Sequence, residues 1–120
     1  MHRSPYETAC ILAVILKRSG QARARVSSKT IRWISGRTHL RSAFVVELIG
    51  VLADRFDWIL FELAIGGYGA IQSKSVEAAK PVTAKRWLTD DERKAFRRGD
   101  TSFASFEREA TPEQDQPDDD

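Results

Sequence analysis

Cysteine is nearly absent. The chain has one, Cys10, in 120 residues, so neither an internal disulfide nor a zinc site built on two cysteines can form. Histidine is scarce as well, with His2 near one end and His39 in a candidate turn. Seven Gly and four Pro are too few for a collagen-like or low-complexity chain. Long apolar runs are also missing. The longest nearly uncharged stretch, Ala9 to Leu16, falls far short of the roughly 20 residues that span a bilayer. With no small-residue cleavage site after it, it does not read as a signal peptide, and no membrane partner is expected. These absences lead to the expectation of a reduced, cytoplasmic protein.

What is present suits one modest core. Hydrophobic residues make up 42% of the chain, and 19 Lys and Arg stand against 17 Asp and Glu, for a net charge of +2. That near-neutral total hides a gradient. Residues 1–50 carry nine bases and two acids, whereas residues 89–120 carry five bases and eleven acids. Most of the early bases lie between Lys17 and Arg41. A basic part followed by an acidic tail points to a polyanion as partner.

Local chemistry marks the elements. Ser4-Pro5-Tyr6-Glu7 reads as a capping box opening a helix that stops at Lys17-Arg18-Ser19-Gly20. The middle of that helix is apolar on every side, which predicts burial all round or cover by another subunit. Arg23-Ala24-Arg25-Val26 is a short extended segment. Ser27-Ser28 can cap a second helix, Lys29 to Ser35, closed by Gly36, with Ile31, Trp33 and Ile34 as inward candidates. Thr38 or Ser42 can cap a third helix reaching about Arg55. Leu40, Phe44, Val45, Leu48, Ile49, Val51, Leu52 and Phe56 form its core side, and small or acidic residues its other side.

The period then changes. Trp58 to Ile65 reads as a strand, Gly66-Gly67-Tyr68-Gly69 as a hairpin turn, and Ala70 to Val76 as the return strand. Pro81 to Leu88 is expected to add an edge strand. Thr89-Asp90-Asp91-Glu92 is a second capping box, opening a short helix closed by Gly99. The expected fold is therefore α+β, with an ordered domain over residues 1–99 and a flexible acidic tail over 100–120, disordered from Gln114 to Asp120.

Helix, short strand, helix, turn, helix and glycine-turned hairpin is an order that resembles the winged helix-turn-helix family. The resemblance covers residues 4 to about 76: three helices plus a β-hairpin wing, followed by the short C-terminal helix. It implies that Gly36-Arg37-Thr38-His39 is the turn and that Leu40 to Arg55 occupies the recognition position. In this family the N-terminal residues of that helix enter the major groove. Here these are Arg37, Thr38, His39, Arg41 and Ser42, all able to reach phosphates or base edges. Glu47 and Asp54 depart from the pattern, since they would repel phosphates if they faced them. The wing is light on charge, with Lys74 its only base.

Catalytic constellations are lacking. Cys10 lies in an apolar helix and reads as a small core residue. Asp90-Asp91-Glu92 reads as helix N-terminal acids. Gly66-Gly67-Tyr68-Gly69 lacks the Lys-Ser/Thr of a phosphate loop. The three Trp, Trp33, Trp58 and Trp87, are expected in the core, whereas Tyr68 among three glycines is expected to touch a groove or partner. No stacking motif of the RNA-recognition kind is present.

The reading is a non-enzymatic transcriptional regulator that needs neither cofactor nor metal. It would bind double-stranded DNA through Arg23, Arg25, Lys29, Arg32, Arg37, Thr38, His39, Arg41, Ser42, Tyr68 and Lys74. Winged-helix proteins that read two-fold sites commonly dimerise, so a homodimer through Ile11, Leu12, Ile15 and Leu16 is expected. The alternative is a protein-interaction module, such as an adaptor, anti-activator or phage-type inhibitor. It would use Ala43, Val46 and Gly50 of the third helix.

Overall fold

Seven helices and one three-stranded antiparallel sheet make up the described residues, 2–113, of the computed structural model. The mixed α+β class is as expected. The chain divides into two units, Met1–Ala79 and Lys80–Asp120, so the short helix after the second capping box belongs to the second unit rather than the first.

The first unit runs α1 (Pro5–Ser19), β1 (Arg23–Val26), α2 (Ser28–Ser35), α3 (Ser42–Phe56), β2 (Trp58–Glu62), β3 (Tyr68–Gln72) and α4 (Ser73–Glu77). Capping chemistry sets most of these bounds. Ser4 Oγ accepts the Glu7 N–H at 3.1 Å while the Glu7 carboxylate accepts the Ser4 N–H at 2.9 Å. The Ser4 backbone bond, followed by the hydroxyl, holds the Glu7 carboxyl below its usual pKa. Ser27 caps α2 through the Thr30 N–H. α3 departs from expectation at its start. Arg41 is its N-cap and makes no side-chain cap bond, Ser42 is already helical, and Thr38 lies earlier in the bend. At its far end Asp57 takes the left-handed conformation at φ 59° and Trp58 begins β2 at once.

The core lies between the helices and the inner face of the sheet. Leu12 and Leu16 of α1 meet Ile31 and Ile34 of α2 and Phe44, Val45, Leu48 and Leu52 of α3. Val26, Trp58, Leu60, Tyr68 and Ala70 close it from the sheet. Each such large side chain contributes about 1.5–3 kcal/mol by leaving water.

Two expected dimer residues are corrected by this packing. Leu12 is wholly buried and Leu16 nearly so, because both α2 and α3 pack on α1, which leaves these two side chains no surface to offer a second chain. Ile11 is half-buried against the same core, and only Ile15, beside Val14, is exposed. The first helix is thus covered on one side rather than all round.

In the sheet β3 lies between β1 and β2. Across the three strands Arg23, Ile71 and Ile59 form one row, and Arg25, Gly69 and Phe61 another. Strand alternation turns these six residues outward and Ala24, Val26, Trp58, Leu60, Tyr68 and Ala70 inward. The return strand stops at Gln72, short of Val76. There the Ser73 N–H bonds to the Asp57 carbonyl at 2.8 Å and the chain turns into α4.

The second unit contains α5 (Ala84–Trp87), α6 (Asp90–Arg98) and α7 (Phe103–Ala110). Among the described residues no strand follows Pro81. Thr83 Oγ1 accepts the Arg86 N–H and starts a single helical turn in its place. The second capping box forms between Thr89 and Glu92. Part of the stretch expected to be flexible is helical, with the Phe106 ring 5.5 Å from that of Phe96. The expected disordered tail, Gln114 to Asp120, lies outside the described residues. Among the described residues no helix is long and apolar enough to cross a membrane.

Candidate nucleic-acid interface

No Asp or Glu occurs between Lys17 and Arg41, so β1, α2 and the turn after it carry only positive charge. Arg23 and Arg25 are exposed on β1. On α2, Lys29 is exposed and Arg32 half-buried near the C-terminal end. The ion pairs among the described residues are Arg93–Asp90 and Arg98–Asp100, both in the second unit. The cations of β1 and α2, and Arg41 of the following turn, therefore form no ion pair among the described residues, which leaves them available to an external anion.

The turn from α2 to α3 presents Thr38, His39, Arg41 and Ser42, all exposed. Because Arg41 caps α3 without a side-chain bond, the first amides of that helix find no side-chain acceptor, unlike those of α1 and α2. Arg37 faces elsewhere. One terminal nitrogen donates to the Arg3 carbonyl at 3.0 Å, and its guanidinium carbon lies 4.0 Å from the Phe44 ring centre. Arg3 in turn bonds to the carbonyls of Ile34 and Ser35. These two arginines brace the chain's start against the turn. Sequence reasoning missed Arg3, and no local signal marks a contact with residues 34 and 35.

The exposed face of α3 carries Ala43, Val46, Glu47, Ala53 and Asp54, with Gly50 half-buried. Val46 is 68% exposed there. Cations and hydroxyls lie only at the two ends of this helix: Arg41 and Ser42 at its start, and Arg55 in its last turn, where the guanidinium carbon is 5.7 Å from the Tyr6 ring centre.

Two hairpin expectations are corrected. Tyr68 is not at the tip. It opens β3 on the inner face and is 6% exposed, since the loop lies earlier, with Leu63 and Gly67 joined by a backbone hydrogen bond. Burial, with Glu62 nearby, raises its phenol pKa above 10.0. Lys74 lies on α4, outside the hairpin, and the loop 63–67 carries no charge.

The tryptophans divide. Trp58 is in the core, but Trp33 is 80% exposed and Trp87 is exposed in the second unit. Trp33 lies four residues after Lys29 and so shares its outward side, away from Ile31 and Ile34. Phe61 was also missed as a surface aromatic; alternation with the buried Trp58 and Leu60 is the signal that marks it.

Among the described residues no group of three His, Cys, Asp or Glu could hold a metal ion. Compared with known protein families, curated proteins and solved structures, this chain matches none.

Proposed function

We propose that residues 5–72 form a winged-helix domain that binds double-stranded DNA and acts as a transcriptional regulator. The element order, with β3 between β1 and β2 and with α2, a short turn and α3 in succession, supports this reading. The observation that carries it is the set of cations Arg23, Arg25, Lys29, Arg32 and Arg41, none in an ion pair among the described residues.

Arg41 and the uncapped amides of α3 would receive a backbone phosphate. Thr38, His39 and Ser42 would face base edges. Glu47 and Asp54 would hold the later turns of α3 away from the duplex, so entry would be limited to the helix start. Arg37 drops out of the contact set because its guanidinium is engaged by Arg3 and Phe44. Dimerisation, if it accompanies binding, would fall to Ile15 and its exposed neighbour Val14.

Titration of duplex DNA at several salt concentrations tests this. Five phosphate contacts give a log–log slope of about −4.5, and Lys29→Ala with Arg41→Ala should reduce it to about −2.7. Absence of duplex binding at low salt would overturn the proposal. That result would favour the second reading, a protein-interaction module. Its support is the exposed Val46 set among Ala43 and Gly50 on a helix face with little means of holding phosphate.

A further inference from the structure

The outer face of the sheet carries a combination that duplex binding does not explain. Its six outward residues are Arg23 and Arg25 on β1, Gly69 and Ile71 on β3, and Ile59 and Phe61 on β2. The Phe61 ring covers Gly69 on the middle strand. A β-carbon at position 69 would lie 2.5, 2.7 and 3.1 Å from ring atoms Cζ, Cε2 and Cε1, so the ring can lie there because residue 69 is glycine. Phe61 still keeps 38% of its surface open to solvent. In the same row, beyond Gly69, is Arg25, two strand spacings or about 10 Å from Phe61 between backbones. No acid shares this face, since Glu62 alternates to the other side, toward Tyr68.

From this arrangement we infer that the outer sheet face binds single-stranded nucleic acid, a second activity that shares Arg23 and Arg25 with the duplex reading but uses the sheet surface around Phe61 in place of the start of α3. An unpaired base stacks on Phe61 beside Ile59 and Ile71, while Arg25 and Arg23 take the flanking phosphates. Aromatic rings and cations on one surface are the two components of sequence-tolerant single-strand binding. A duplex satisfies only half of it, because its bases are already stacked. A second copy of this chain suits the face poorly. Two-fold pairing would place both arginine pairs in one interface with no acid between them.

Fluorescence anisotropy on the full chain tests the inference, using labelled oligothymidylate of about 12 nucleotides and a duplex of equal length. The native chain should bind the single strand, and Phe61→Leu should weaken that binding on the order of tenfold. Phe61→Trp should retain it, which separates loss of stacking from loss of fold, and thermal unfolding checks that both variants are folded. Neither change should alter duplex affinity, whereas Arg23→Ala with Arg25→Ala should weaken the single strand strongly. The inference is overturned if Phe61→Leu binds oligothymidylate as the native chain does. A native chain that binds duplex but not oligothymidylate overturns it too and leaves the duplex reading standing. So does sedimentation showing a native dimer that Phe61→Leu dissociates without changing single-strand affinity.

Discussion

Replacing Arg37 by Ala separates an arginine that builds the fold from one that binds phosphate. Two interactions are lost together: the 3.0 Å bond to the Arg3 carbonyl and the guanidinium over Phe44 at 4.0 Å. A hydrogen bond from a charged donor contributes about 1.5–3 kcal/mol, and a cation over a ring at an exposed site about 0.5–1. Arg37 is half-buried and the Arg3 carbonyl is at the surface, so the low end applies and the sum is about 2 kcal/mol. In a unit of this size each kcal/mol shifts the melting temperature by about 4–8 °C, which predicts a loss of about 8–16 °C. Arg37→Lys should recover little of it, since a lysine keeps the charge but not the planar fork. Circular dichroism on heating measures the loss, and duplex titration at two salt concentrations measures any effect on binding. A variant that melts within about 2 °C of the native chain, with a salt slope smaller by about 0.9, would show that Arg37 contacts phosphate and refute the bracing role.

Leu12→Glu should unfold the first unit, because it places a charge where no solvent reaches, whereas Ile15→Glu should leave the circular dichroism spectrum intact; equal behaviour of the two would contradict the packing of α1. The raised pKa of Tyr68 means that the folded state holds the phenol proton more tightly than the unfolded one. Its contribution is therefore complete below pH 10.0 and lost as pH rises through the folded value. Tyr68→Phe should flatten the alkaline fall in stability measured by urea titration. Gly69→Ala should displace the Phe61 ring, a flexible side-chain end, at small cost in stability but with loss of single-strand binding; unchanged anisotropy would argue against the platform.

Elements bounded by short-range chemistry were legible in the sequence. The capping boxes at Ser4 and Thr89 and the glycine ends at Gly20, Gly36 and Gly99 depend on residues a few positions apart, and all form. The core side of α3 was legible because fifteen residues sample every direction several times. Trp33 was not legible as a surface residue from its hydrophobic character, although on an eight-residue helix its spacing from Lys29 turns it outward. Tyr68 was misplaced by a hairpin register that the glycine cluster alone does not fix. The loop spans 63–67 rather than 66–69, so Tyr68 falls at an inward position of β3 instead of at the tip. The proline at position 81 suits an edge strand, but Thr83 two residues later caps a helical turn, and the cap decides the local structure. The outer sheet face was beyond the sequence altogether. Its rows join residues from three strands that are paired only in the folded chain.

The single residue between α3 and β2 limits how this fold can change in length. Asp57 accepts the Ser73 N–H while held at φ 59°, so both ends of the hairpin are tied at one corner with no slack chain. An insertion there would detach β2 from the core that Trp58 anchors. The opposite end of the hairpin differs, because residues 64–66 are exposed and carry no core side chain. Natural length variation, and any reporter peptide spliced into the first unit, should therefore be accepted at the tip around Ile65 and rejected at Asp57.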